Sequence, residues 1–159
     1  MSSVLRPHQN RVIAEVDRAI VDGYRRIVVM APTGFGKTIV GAVLTEKIRV
    51  GGGRTIFTVP ALSLIDQTVE KFWAEGLRDV GVMQANHVLT NYARPVQIAS
   101  VQTLARREIP DANLVIMDEI HRWFDFYGDW LREPRWVDVP SSACRRPRGP
   151  RDSGNTSAG

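Results

Sequence analysis

The sequence has little cysteine and no long apolar run. Its one cysteine, Cys144, excludes an internal disulfide and makes the cytoplasm the expected compartment. The longest apolar stretches, IVVMA and LVIM, are far too short to span a membrane. The opening residues MSSVLRPHQNRV contain no apolar core, so no signal peptide is predicted. A membrane partner is therefore not expected.

An excess of positive charge is also absent from most of the chain. The 159 residues carry a formal net charge of +4, yet residues 1–140 hold 17 Lys+Arg against 16 Asp+Glu. Residues 141–159 hold four Arg and one Asp. Because the charge lies mainly in these last residues, it is no argument for nucleic-acid binding by the rest. The length suits one domain with one core.

Short apolar runs alternate with segments of helical periodicity. Strands are predicted at RIVVMA (26–31), TIFTV (55–59), GVMQA (81–85), VQIAS (96–100) and LVIM (114–117), the first and last of them buried on both faces. Helices are predicted from Pro7, over about 37–50, from Leu62 to Gly76, over 101–107 and over 120–133. This alternation predicts an α/β fold with a mostly parallel sheet and helices on both faces. Ligands of such folds bind at the carboxyl ends of the strands.

The segment APTGFGKT (31–38) follows the first strand and opens a helix. A phosphate cradle needs this context, because backbone N–H groups and a helix N-terminus then face one point. Gly34 and Gly36 allow the necessary backbone conformations, Lys37 can reach the β- and γ-phosphates, and the Thr38 hydroxyl can bind Mg²⁺. The general pattern has Gly where Ala31 stands. The alternative interpretation is a glycine turn followed by an incidental Lys-Thr pair.

Two adjacent carboxylates, Asp118 and Glu119, end the apolar run VIM. They follow a buried strand and are expected at the same sheet edge as the phosphate loop. Asp118 is placed to hold Mg²⁺ through water, and Glu119 to activate an attacking water molecule. The alternative is a helix N-terminus capped by acids. His121 has no Cys or His nearby in sequence, so a polar link to a neighbouring domain is favoured over a metal ligand.

An aromatic group follows the carboxylates and consists of Trp123, Phe124, Phe126, Tyr127 and Trp130. Such rings can stack on bases. A role in the core or in a domain contact is the favoured interpretation.

Together, APTGFGKT and DEIHR resemble motifs I and II of the superfamily 2 DEAD/DEAH-box helicases, in the branch of the type III restriction-enzyme helicase subunit. LRPHQ (5–9) resembles the adenine-reading motif, TVPALSLIDQ (58–67) motif Ia and SVQTL (100–104) motif Ib, and Ile120 stands where the family usually has Ala. The resemblance implies ATP contacts from Gln9, Pro32, Thr33, Gly34, Phe35, Gly36, Lys37 and Thr38. It implies nucleic-acid contacts from Pro60, Ala61, Gln67, Ser100, Gln102 and Thr103. Lys37, Asp118 and Glu119 would be catalytic, with Mg²⁺ held by Thr38 and Asp118.

The implied fold is the first RecA-like domain of a P-loop NTPase, here residues 1–140, with a sheet incomplete at its C-terminal side. The implied function is the ATP-binding lobe of a nucleic-acid helicase or translocase, which resembles an ATP hydrolase, with DNA favoured over RNA as its nucleic acid. Without the second lobe, or motifs III to VI, it is expected not to translocate alone. The alternative is a non-catalytic remnant or a regulatory binding module. A third option, an unrelated P-loop kinase, is disfavoured by DEIHR and by motifs Ia and Ib.

Residues 141–159 contain no Val, Ile, Leu, Met, Phe, Trp or Tyr. This composition predicts a disordered basic tail, which could touch nucleic acid. Back-translation shifted by one base yields FIGLSATPWAKGLGKY for a suitable choice of codons. That string contains SAT, which resembles motif III at the expected distance after DEIHR. We therefore expect that a one-base shift near Pro140 shortened a longer helicase.

Overall fold

The computed structural model describes residues 5–30, 36–120 and 124–145. Its helices are α1 Pro7–Val21, α2 Lys37–Val50, α3 Ile65–Ala74, α4 Val101–Leu104 and α5 Phe124–Arg132, with a 3₁₀ turn at Leu62–Leu64. Its strands are β1 Arg26–Met30, β2 Thr55–Val59, β3 Val80–Val82, β4 Val96–Ser100, β5 Leu114–Met117 and β6 Ser141–Arg145. Within these ranges, no helix has the length and apolar character needed to cross a bilayer.

The six strands form one sheet in the order β1-β6-β5-β2-β4-β3, and every pair is parallel. Side chains alternate across the sheet, so its two faces build two separate apolar clusters. On one face, Phe57 of β2 packs edge-to-face on Phe72 of α3, with ring centroids 5.1 Å apart. On the other, Met117 joins Trp130 of α5. The predicted parallel sheet with helices on both faces is confirmed.

The aromatic residues of α5 belong to the core. Tyr127 and Trp130 are 1% and 3% exposed, and the Trp130 ring meets that of Trp136 edge-on at 5.1 Å. For these two residues the core interpretation is confirmed. Trp123 and the side chain of Phe124 lie outside the described residues.

Strand β1 is not buried on both faces, contrary to the prediction. Ile27 and Val29 are half-buried against the core, whereas Val28 and Met30 are each 55% exposed. The reason is position, because β1 is the edge strand and the described helices cover its second face only in part. A uniformly apolar run does not distinguish an edge strand from a central one.

The predicted disorder from residue 141 is wrong for Ser141–Arg145, which form β6 between β1 and β5. Backbone pairing on both sides satisfies the N–H and C=O groups of β6 without apolar side chains. The Arg26 guanidinium holds the preceding turn by donating to the carbonyls of Leu131 at 2.7 Å and Val139 at 2.6 Å. Residues 146–159 lie outside the described part of the chain.

Candidate active site

The described part of the phosphate loop begins at Gly36, because residues 31–35 lie outside the described ranges. Gly36 precedes α2 with φ +82, a left-handed conformation that favours glycine. A Cβ added there would lie 2.3 Å from Nε2 of Gln9, so the side chain of Gln9 occupies that space. Lys37 and Thr38 follow in the first turn of α2, and both are half-buried. The N-terminal end of α2 therefore lies directly against Gln9.

Gln9 is held in place by its own helix. It is 2% exposed, and its Oε1 accepts the backbone N–H of Arg6 at 2.9 Å. This contact satisfies one of the N–H groups at the start of α1. Since the amide also abuts Gly36, the structure brings Gln9 and the end of the phosphate loop together although 26 residues separate them.

Asp118 lies at the carboxyl end of β5, and its N–H donates to the carbonyl of Thr58 at 3.1 Å. Burial raises the pKa of its carboxyl, Lys37 opposes this, and Glu119 adds to it, so that the pKa lies above its ordinary value. β1 and β5 run parallel in the same sheet, so the helix that follows β1 begins at the edge where β5 ends, and Lys37 and Asp118 lie at this shared edge.

Glu119 has an unusual backbone. Its φ is +51, in the left-handed region that residues other than glycine seldom occupy. Such a conformation costs on the order of 1–2 kcal/mol and is common at functional sites. His121 lies outside the described residues.

Tyr127 contributes a polar contact that sequence reasoning missed. Its hydroxyl lies 2.5 Å from Oγ1 of Thr58, and both groups are buried. Burial raises the pKa of the phenol, and the charge of Asp118 raises it further. Because the carbonyl of Thr58 also accepts the N–H of Asp118, Thr58 links Tyr127 to the backbone of Asp118. The available signal was a tyrosine on an otherwise apolar helix face, because a buried tyrosine usually needs a hydrogen-bond partner.

The candidate nucleic-acid residues lie at the ends of β2 and β4, which are neighbours in the sheet. The Gln102 side chain donates to the carbonyl of Pro60 at 3.3 Å and so links motifs Ia and Ib. Ser100 is fully buried, and its Oγ accepts the N–H of Thr103 at 3.2 Å as the N-cap of α4. In this structure the Ser100 hydroxyl therefore has a capping role.

The remaining candidates differ in exposure. Gln67 is exposed on α3, Ala61 is half-buried, and Pro60 is buried. Of these three, Gln67 presents its side chain most openly to solvent.

A family model for the type III restriction enzyme res subunit matches residues 2–132. The chain belongs to this family. The match spans residues 5–9, 31–38 and 118–122, which carry LRPHQ, APTGFGKT and DEIHR.

Curated relatives are helicases by name. The chain is 28% identical over 138 residues to the probable helicase HelY of Mycobacterium leprae, covering 82% of this chain and 14% of that protein. It is 29% identical over 119 residues to HelY of Mycobacterium tuberculosis, covering 71% and 13%. The chain thus spans about one-seventh of the length of these relatives.

Solved structures share the fold. The UvsW helicase of bacteriophage T4 matches with a TM-score of 0.67 and 18% identity, covering 81% of this chain and 50% of that one. The SWI2/SNF2 ATPase core of Sulfolobus solfataricus matches at 0.69 with 14% identity, covering 94% and 33%. The res-subunit chain therefore has a RecA-like fold.

Proposed function

We propose that this chain is the ATP-binding lobe of an ATP-dependent nucleic-acid helicase or translocase. One observation supports this above the others. Lys37, in the first turn of the helix that follows β1, and Asp118, at the end of the parallel strand β5, lie at the same carboxyl edge of the sheet, while Gln9 abuts Gly36. Phosphate, magnesium and adenine ligands would thereby converge on one site. The family membership favours the same activity.

The residues fit Mg²⁺ and ATP. Within the ranges that the structure describes, no three His, Cys, Asp or Glu residues cluster as a metal cage. Mg²⁺ commonly takes one or two protein oxygens and completes its shell with water and phosphate. The Thr38 hydroxyl and the Asp118 carboxylate are such ligands. Bound there, the cation would neutralise charge on the β- and γ-phosphates.

The remaining residues would divide the work of hydrolysis. Lys37 would bind the phosphates, Gln9 would bind adenine, and Glu119 would orient and deprotonate the attacking water. Pro32, Thr33, Gly34 and Phe35 would complete the loop around the phosphates. We expect slow hydrolysis by this lobe alone, because a RecA-like motor closes two lobes over ATP.

DNA is the favoured nucleic acid. Two structural neighbours were solved in complexes of this kind, the SWI2/SNF2 ATPase core with double-stranded DNA and the restriction-modification enzyme LlaGI with a DNA substrate mimic. In this chain, the linked segments at Pro60 and Gln102, with Ala61, Gln67, Ser100 and Thr103, would supply half of the track. The other half would come from a second RecA-like lobe, without which the chain would not translocate. We place the protein in the cytoplasm.

A pair of lysines on α2 provides the test. Lys37→Ala is expected to weaken binding of a fluorescent ATP analogue with Mg²⁺ by more than about tenfold, because a hydrogen bond to a charged group contributes about 1.5–3 kcal/mol. Lys47→Ala removes the same charge from the same helix, where Lys47 pairs with Asp17 at the surface. Equal affinities for the two variants would refute the site.

Glu119→Gln separates binding from chemistry. It should bind the analogue as the parent does and should hydrolyse ATP at least about tenfold more slowly. Unchanged hydrolysis would exclude Glu119 as the base.

A second candidate function is a remnant or regulatory module without ATPase activity. The observation that favours it is the apolar exposure of Val28 and Met30 on edge strand β1, a surface of the kind that associates. Aggregation of the purified chain together with absent ATP binding would favour this candidate. A soluble monomer that binds ATP and unfolds cooperatively would count against it.

A further inference from the structure

The contact between Pro60 and Gln102 marks the point where two chain segments leave the sheet. β2 and β4 are parallel neighbours, so the segments that follow them emerge side by side at the carboxyl edge. The segment after β2 continues into α3, which buries Phe72 in one apolar cluster. The segment after β4 is α4, which buries Leu104 in the other cluster. The two helices therefore lie on opposite faces of the sheet, with the Pro60–Gln102 contact between them.

Lys71 extends the exposed side of α3 that begins at Gln67. The two residues are four positions apart and both are exposed, so their side chains lie one turn apart on the same side of the helix. Asp66 and Glu70 form a different side and, with Trp73, line a groove against the loop that follows β3. Gln67 and Lys71 do not line that groove. α3 thus keeps these two acids apart from Lys71.

The carboxylate of Asp66 is held on the groove side by His87. Nδ1 of His87 accepts the backbone N–H of Leu89 at 3.0 Å, so the proton of the neutral ring lies on Nε2. Nε2 in turn donates to Oδ1 of Asp66 at 2.8 Å. The nearest acid to Gln67 along α3 is therefore bound to the loop after β3.

Arg106 provides a second exposed cation, on the other side of the Pro60–Gln102 contact. It follows α4 by one residue, and its backbone N–H donates to the carbonyl of Thr103 at 3.1 Å. Its side chain is exposed and lies about one turn beyond Gln102. The two segments that meet at the Pro60–Gln102 contact thus each carry one exposed cation a turn further along the chain.

Neither cation is engaged within the protein. Among the residues that the structure describes, the side chains of Lys71 and Arg106 make no hydrogen bond or ion pair. Glu108, the acid nearest to Arg106 in sequence, lies 3.9 Å from Arg135 instead. Binding of an anion at Lys71 or Arg106 therefore breaks no existing ion pair.

We propose that Lys71 and Arg106 bind the phosphodiester backbone of a nucleic-acid strand that crosses the Pro60–Gln102 contact. The inference rests on the proposed function, because it adds two cations to the track proposed above. Lys71 acts as a point charge, whereas the Arg106 guanidinium can donate two hydrogen bonds to one phosphate. Contacts of this kind hold and orient a strand without reading its bases.

The test is the salt dependence of binding by the full chain. A fluorescein-labelled oligothymidylate of about 20 nucleotides is titrated by anisotropy at about 20 to 200 mM NaCl, and each phosphate contact to a single strand contributes about 0.7 to the slope of log K against log salt. The double variant Lys71→Ala, Arg106→Ala should therefore lower the magnitude of that slope by about 1.4, and each single variant by about 0.7. An oligouridylate of the same length should show the same reduction, because the phosphates are common to DNA and RNA.

A charge-matched control is available at the opposite edge of the sheet. Lys47→Ala with Arg132→Ala also removes two surface cations, one late in α2 and one at the end of α5. This variant should keep the slope of the parent. The exchange Lys71→Arg with Arg106→Lys retains both charges at the proposed site and should also keep that slope.

An unchanged slope for the double alanine variant, or an equal reduction in the control, would overturn the proposal. A reduced slope for the charge-conserving exchange would also overturn it, since charge would then not be the cause. The same holds if the parent does not bind the oligonucleotide at any salt concentration. Binding of the fluorescent ATP analogue by the same proteins separates the two hypotheses. Intact analogue binding with an unchanged slope contradicts only this inference, whereas absent analogue binding with the expected slopes contradicts only the ATP site.

Discussion

The hydrogen bond between Thr58 and Tyr127 joins the centre of the sheet to α5. Its oxygen atoms lie 2.5 Å apart, and the two residues are 0% and 1% exposed. Tyr127→Phe deletes only the hydroxyl and leaves the Thr58 hydroxyl buried without this partner. Thr58→Val keeps nearly the same side-chain shape and leaves the Tyr127 hydroxyl buried without this partner. Each single substitution therefore creates an orphaned buried group.

The expected changes in the free energy of unfolding follow from the loss of one or both of these hydroxyls. An orphaned buried hydroxyl costs about 1–3 kcal/mol, whereas replacing both partners by apolar groups of the same shape is nearly neutral. Each single variant should thus lower the free energy of unfolding by about 1–3 kcal/mol. The double variant should lose less than the sum, which gives a coupling energy of at least about 1 kcal/mol.

Urea unfolding followed by tryptophan fluorescence suits this cycle, because Trp130 and Trp136 lie in the same apolar cluster. The slope with denaturant should stay constant across the four proteins, so that differences in midpoint report stability. Additivity within about 0.5 kcal/mol would show that the hydroxyls do not depend on each other and would refute the argument.

Three further predictions concern the site. Asp118→Asn should raise the unfolding temperature of the nucleotide-free protein at neutral pH, because burial raises the pKa of this carboxyl and makes its ionised form costly. Asp129→Asn, at an exposed position, is the control. A lower unfolding temperature for Asp118→Asn would contradict the assignment. Gly36→Ala should destabilise the fold by about 1 kcal/mol more than Gly52→Ala. Both glycines have φ +82, but only at Gly36 would an added Cβ meet the side chain of Gln9. Equal unfolding temperatures for the two variants would show that Gln9 moves freely. Above pH about 10, a tyrosine in the unfolded chain ionises, whereas folded Tyr127, with its raised pKa, stays protonated. The free energy of unfolding should therefore fall with rising pH. In urea titrations, Tyr127→Phe should remove up to about 1.4 kcal/mol per pH unit of that slope.

Much of the fold could be predicted from local patterns. The helix from Pro7 and the helix over 37–50 appear where their periodicity places them, as do β2 and β5. Each of these signals depends on neighbours within one or two turns of chain. The phosphate loop is likewise proposed from a local pattern, in which glycines, lysine and threonine lie between a strand and a helix.

The burial of individual strands could not be predicted in this way. β1 and β5 are both short apolar runs, yet β1 is half exposed at the edge and β5 is fully buried. The contact between Thr58 and Tyr127 joins residues 69 positions apart, and no local pattern contains that pairing.

The sequence by itself determined the alternation of strands and helices, the family, and the residue types of the proposed nucleotide site, because these depend on spacing along the chain. Only the tertiary structure decided that β6 lies between β1 and β5, and that Gln9 abuts Gly36. The physical reason is that burial and hydrogen bonding are properties of neighbours in space. A strand of serine and alanine is paired where two other strands offer their backbone groups, whatever its own composition predicts.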